Sequence, residues 1–189
     1  MPDRPMKQRL KDAVLHLLDQ HRIMTIATNR ADGWPQATIV GYVNDGFLLY
    51  CFIARNAQKF ANIQRDPRVS IAIGTDALHP LEIKGLSLAG RAAAVDDSEE
   101  FEHVAGLRSK RYPEYALLPP PVLRDGALQR LAPQPASSTV VLLRIAPEII
   151  SVVDYSKGFG HSDLIAFSER DLDLHLESVS HPWDGHGLV

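Results

Sequence analysis

Short apolar stretches with a two-residue period alternate along this chain with segments of helical period. The order of the two carries most of the fold. Met6, Leu10, Ala13, Val14, Leu17 and Leu18 recur at helical spacing and predict an amphipathic helix over residues 6–20. Strand-like stretches follow at 23–28, 35–43, 47–54 and 68–75, rich in β-branched and aromatic residues. Turn residues 29–33 join the first two. Asn44-Asp45-Gly46 joins the next pair, because Asp-Gly accepts the positive φ angles of a type I′ hairpin turn. Between the third and fourth strands lies a short helix with Phe60 and Ile63 on its apolar face, Asn56 as the expected N-cap and Asp66-Pro67 as its stop.

Residues 81–95 read as a long fifth strand in which Gly85 and Gly90 mark bends or bulges. A helix is expected from Ser98 to about Arg111, resuming over 113–118, and the proline-rich connection 119–136 is expected to be a loop with one helical turn. Residues 139–145 form a sixth strand that 149–155 continues or pairs with. The tail from Gly158, rich in Asp, Ser, His and Gly, is expected to be partly irregular. Six or seven strands in hairpin order, with flanking helices, imply a mainly β, α+β antiparallel barrel. A doubly wound parallel sheet would need longer helices between the strands of the first 75 residues.

Composition narrows the function classes. The 189 residues suit one domain spanning 1–189, and 45% hydrophobic with 23% charged residues is ordinary for a globular protein. A net charge of -3 gives no general attraction to nucleic acid or an anionic membrane. The longest apolar run falls short of the roughly 20 residues that span a bilayer, and the N-terminus has no apolar signal core, so a cytoplasmic location is expected. Cys51 is the single cysteine and sits inside an apolar strand, the setting of an inert buried thiol.

The candidate chemistry lies where the third strand opens into the short helix. Arg55 and Lys59 flank the positive end of the helix dipole, where cations are disfavoured by up to about 1 kcal/mol. An anion held by free backbone N–H groups and both side chains accounts for the arrangement, and a phosphate is the natural choice. Solvation, or pairing with carboxylates elsewhere, is the competing account.

The ordered series 23–28, 36–42 and 47–53, then Lys59-x-x-Asn62, Asp66-Pro67-Arg68-Val69-Ser70, 85–91 and Asp154-Tyr155-Ser156-Lys157-Gly158, resembles the pyridoxamine-phosphate-oxidase-like FMN-binding split barrels over most of residues 20–160. The resemblance implies a homodimer with FMN in a groove between subunits. Thr38, Ile39 and Val40 would line the flavin and ribityl chain, Phe52, Ile53 and Ala54 would lie beside it, and Arg55, Gln58 and Lys59 would hold the phosphate. The partner subunit would contribute from near Lys84 to Leu88, with Tyr155 and Lys157 near the ring. The resemblance implies oxidoreduction of a small molecule at the flavin N5 with no catalytic side chain, and Lys84 or Lys157 is the candidate to stabilise the reduced ring. A deazaflavin-dependent reductase and a non-catalytic flavin or haem carrier are the alternatives. Ser180–Val189 has no Arg, so the late Arg-x-His element of the vitamin oxidases is missing and that reaction is not expected.

Other candidates are weaker. Residues 85–90, GLSLAG, break the Gly-x-Ser-x-Gly pattern at Ala89 and lead into strand, which argues against a hydrolase. His181, Asp184 and His186 lack metal-site spacing, so no metal is expected, and nothing selects a haem ligand such as His161 among the eight histidines. Trp183 is a possible aromatic lid, Trp34 a loop residue at the barrel end, and Tyr112 and Tyr115 core or dimer contacts.

Overall fold

Backbone hydrogen bonding gathers the predicted strands into one curled antiparallel sheet. The structure is a computed structural model and describes residues 6–74, 76–116, 140–168 and 171–179. Helix α1 (Met6–Gln20) leads into β1 (Ile23–Asn29), β2 (Pro35–Gly41), β3 (Val43–Asp45) and β4 (Leu48–Ala54). Helix α2 (Gln58–Arg65), β5 (Arg68–Gly74), β6 (Lys84–Ala94), helix α3 (Ser98–Arg111), β7 (Val140–Asp154), β8 (Ser162–Ser168) and β9 (Asp171–Val179) follow. The strand order is β2-β1-β5-β6-β7-β4-β3, with β8 on β7 and β9 on β8. The alternating patterns predict an antiparallel α+β barrel, and this is the split form of it that the resemblance implies.

Several local expectations are corrected. The second stretch divides at Tyr42 into β2 and β3, and a 3-10 turn at Pro80–Glu82 precedes the fifth strand, which starts at Lys84. Of the two readings for 149–155, continuation holds: with 140–145 it forms the single β7. The tail from Gly158 contains β8 and β9, which raises the strand count to nine among the described residues. The hairpin between β3 and β4 is present, but only Gly46 takes a positive φ, +57°, and Asp45 pairs with Leu48. A positive φ at the first central residue alone is the II′ pattern rather than I′. The connection 119–136 lies outside the described residues.

The predicted bend at Gly90 is where the sheet branches. The β6–β7 register shifts between Ala89 and Gly90, and Gly90 faces Pro147. A Cβ on Gly90 would stand 2.4 Å from the Ala146 carbonyl oxygen, so only glycine permits this approach. Here β7 exchanges neighbours. Residues 140–145 pair with β4 and residues 149–153 with β8, while β6 follows both halves.

Two apolar layers result. Leu10, Val14, Leu17 and Leu18 of α1 and Phe60 and Ile63 of α2 pack inside the curl against Met24, Ile26, Leu49, Cys51 and Ile71. On the outside, α3 covers β3, β4 and β7 through Val104 and Tyr112 packed on Val43, Tyr50 and Leu142. The end of α3 also clamps the end of α1. Arg111 Nη2 donates to the carbonyls of Leu18, Asp19 and His21, and Nη1 donates to Asn44 Oδ1 at 3.0 Å. Those carbonyls have no helical donor, and the guanidinium also meets the negative end of the α1 dipole. The Tyr42 hydroxyl donates to Leu18 O at 2.8 Å, and the Tyr112 hydroxyl donates to the Arg22 and Tyr42 carbonyls.

Two outcomes follow for stability. Gly90→Ala must displace backbone and is expected to cost about 2 kcal/mol or more in urea denaturation. Arg111→Met removes the guanidinium from the Asp19 and His21 carbonyls while Leu18 O keeps the Tyr42 hydroxyl, and is expected to cost about 1–3 kcal/mol by the same measurement.

Candidate functional site

The start of α2 offers donors without acceptors. Its N-cap is Ala57, not the expected Asn56, and no side chain caps it. The Phe60 and Ala61 N–H groups both return to Ala57 O, which leaves Gln58 and Lys59 N–H without a helical acceptor. Arg55 and Lys59 make no hydrogen bond or ion pair with the described residues, as no such bond joins them in the otherwise well-paired surface. Arg55 stacks its guanidinium 5.8 Å from the Phe60 ring centre, beside a small depression that Asp96, Asp97 and Ser98 also line. Asp97 is occupied as the α3 N-cap, accepting from Glu100 N at 2.7 Å. Pairing with nearby carboxylates, one half of the competing account, is therefore not observed among the described residues; solvation, the other half, is compatible with the same geometry.

Strand parity sorts the remaining candidates. On β2, Thr38 and Val40 are half-buried while Ile39 points outward and is 71% exposed. The Thr38 hydroxyl oxygen is buried with no hydrogen-bond partner among the described residues. On β4, Ile53 joins the inner core, and Ala54 is exposed at the strand end. Phe52 turns the other way, under α3, with its ring 6.0 Å from Phe101 and the Arg108 guanidinium 4.8 Å above it. Its side chain is therefore not brought together with Thr38 and Lys59. Cys51 is 1% exposed, and burial pushes its thiol up to about 12, the setting of an unreactive cysteine.

Lys84, Tyr155 and Lys157 form a second group. Three strand intervals separate β6 from β2, about 14 Å at normal strand spacing. Lys84 Nζ lies 3.7 Å from Asp154 Oδ1, and Lys157 Nζ lies 2.8 Å from Asp163 Oδ2, which also meets His161 Nε2 at 3.1 Å. Tyr155 N donates to Ile83 O at 3.0 Å, and its ring centre is 5.2 Å from that of Phe159. Burial alone would raise both carboxyls. Hydrogen bonds from Ser156 and the charge of Lys84 outweigh it at Asp154, and bonds from Lys157 and His161 outweigh it at Asp163, so both lie below the usual carboxylate range.

Sequence reasoning missed a buried network behind α2. Asn62 is 2% exposed, and its amide nitrogen donates to Thr28 Oγ1 at 3.0 Å and Gln36 Oε1 at 3.1 Å. Gln58 Nε2 donates to Asn62 Oδ1 at 3.0 Å. The available signal was an amide flanked by Phe60 and Ile63 on the buried side of a short helix. No cluster of metal-binding side chains exists among the described residues, and no helix among them is long and apolar enough to cross a membrane. His181, Trp183, Asp184 and His186 lie outside the described residues.

Comparisons with known proteins agree with this fold. A family model described as pyridoxamine 5'-phosphate oxidase matches residues 10–154. General stress protein 26 of Bacillus subtilis is 30% identical over 70 residues, which is 37% of this chain and 49% of that protein. The chain thus spans about half the length of this curated relative. A haem-binding protein of Mycobacterium smegmatis superposes with TM-score 0.63 at 19% identity, covering 87% of this chain and 59% of that one. An FAD-binding protein of Mesorhizobium loti superposes with TM-score 0.52 at 17% identity, covering 74% and 88%.

The paired carboxylates yield a measurable consequence. A depressed Asp163 pKa adds stability above its unfolded value, and that contribution is lost as pH falls through the folded value. Lys157→Met removes the ammonium donor and is expected to move the Asp163 carboxyl upward in an NMR pH titration. An unchanged titration curve would show that Lys157 does not set it.

Proposed function

Because the chain belongs to the pyridoxamine 5'-phosphate oxidase family, we propose that it is an FMN-binding flavoprotein that acts as an oxidoreductase on a small molecule. The observation that carries this reading is the set of unclaimed donors at the start of α2, namely the Arg55 and Lys59 side chains and the Gln58 and Lys59 N–H groups. These donors suit a phosphate dianion in geometry and charge. The buried, unpartnered Thr38 hydroxyl suits a polar ligand beside β2. Bound FMN supplies hydride acceptance at its N5 atom, and the chain supplies binding and orientation.

A homodimer belongs to the same reading. Two rows of small residues cross the outer face that α3 leaves bare. One runs Ile39, Thr25, Ala72, Ser87 and Ser151, and the other Ala37, Ala27, Ser70, Ala89 and Ile149. Ile23 (60% exposed) and Ile83 add to the first row, around a shallow hollow of about 450 Å³ that Ile39 and Lys84 also line. An outer face of small side chains with isoleucines exposed suits a second copy of itself. Such packing would bring one protomer's Lys84 group toward its partner's cradle. Each lysine there is already paired with an aspartate, so the field it offers a flavin is weaker than that of a lone ammonium.

For the haem alternative, Asp163 engages only the Nε2 of His161, a contact that neither selects nor removes that histidine as an iron ligand. The cytoplasmic location stands as part of the proposal, on the lone buried thiol.

Denaturing the purified protein and identifying the released chromophore by mass spectrometry is expected to give FMN; a deazaflavin or haem would replace this reading with its alternative. A bound flavin that does not turn over with NADH or NADPH would indicate a carrier. The Arg55→Ala, Lys59→Ala double variant is expected to lose at least about tenfold in FMN affinity. Ile39→Glu is expected to give monomers by light scattering with loss of FMN, whereas a dimer that keeps its flavin would remove the outer-face interface.

A further inference from the structure

We propose that Asn62 is the positioning residue of the phosphate cradle, acting through a buried amide clamp that sets the rotation of α2 against the β1–β2 edge. The inference rests on the reading that a phosphate docks at the start of α2. Helix α2 has eight residues and buries three of them, Phe60, Asn62 and Ile63. Phe60 and Ile63 join the inner apolar core. Their contacts are non-directional, so by themselves they leave so short a helix free to roll about its axis. Asn62 supplies the missing direction.

The amide donates to Thr28 and Gln36, which stand directly opposite one another on β1 and β2. Its oxygen accepts from Gln58 in the first turn of the same helix. Both the nitrogen and the oxygen are thus engaged, at a residue only 2% exposed. A satisfied polar network in a low-dielectric interior specifies one arrangement, since any rotation of α2 strands a buried donor or acceptor. The clamp stands about 6 Å along the helix from Gln58. It stands about 7 Å along β2 from Thr38, whose unpartnered hydroxyl shares the face of Gln36. Asn62 thereby fixes where the unclaimed N–H groups of Gln58 and Lys59 sit relative to Thr38, and touches no ligand itself.

Riboflavin, which lacks the phosphate, separates positioning from packing. FMN and riboflavin dissociation constants are measured by flavin fluorescence quenching for the wild type, Asn62→Ala, Thr28→Val and Ile63→Ala. Thr28→Val breaks the clamp from the strand side and carries the test should Asn62→Ala fail to fold. Ile63→Ala loosens the same helix without touching the amide. The expected result is a wild-type preference for FMN that shrinks about tenfold in Asn62→Ala and Thr28→Val, with riboflavin affinity held. Ile63→Ala is expected to lower Tm and keep the preference. A preference retained in both clamp variants, or lost equally in Ile63→Ala, overturns the positioning role and leaves the phosphate reading standing. A wild type that does not distinguish FMN from riboflavin sinks the phosphate reading itself, and this inference with it.

Discussion

The tight approach of Gly90 to the Ala146 carbonyl of β7, which leaves no room for a Cβ, is the constraint on which the architecture turns. A side chain at Gly90 would hold β6 and β7 apart at the point where β7 has to leave β4 and take up β8. Pro147, which has no N–H to offer a ladder, occupies the bulge where such a residue is tolerated. One half of β7 supports β4, from whose end the chain turns into α2 and its cations. The other half ends at Asp154, where the second group of candidate residues gathers. Both sets therefore take their positions from a single junction.

The curl also explains why one strand is buried on both sides and others are not. Inner residues of β4 meet the common core, while Tyr50 and Phe52 meet α3. Tyr50 keeps its hydroxyl satisfied by donating to Glu100 at 2.9 Å, and burial with that neighbouring carboxylate raises its pKa well above the ordinary tyrosine value. Arg144 in turn holds Glu100 at 3.2 Å. Helix α3 is thus fastened by a polar chain as well as by apolar packing, and the fastening is confined to one half of the sheet. The uncovered half carries the small-residue rows.

Legibility in the sequence followed the physics of each segment. Period-two alternation in β1 and β5 survives because each has one buried face, and the unbroken apolar run of β4 marks a strand covered on both, so their extents were readable to within a residue or two. The alternation of β9, Leu172, Leu174 and Leu176 among Asp, His and Glu, was masked by the polar composition of the tail. The placement of the cations at the start of α2 was legible because a charge at the wrong end of a dipole contradicts local preference. The facing of Phe52 was not, because a strand apolar on both sides gives no parity to read. Asn62 stood in the quoted Lys59-x-x-Asn62 motif, but its bonds escaped because Thr28 and Gln36 are distant in sequence and adjacent only after folding.

Cys51 occupies the middle of β4, its backbone paired with Leu143 and its thiol sealed by the core. An alkylating reagent reaches that sulfur only when the central strands part. The slow covalent capture of this one atom therefore counts rare openings of the barrel in the unmodified protein, a built-in gauge of sub-global fluctuation that needs no introduced probe.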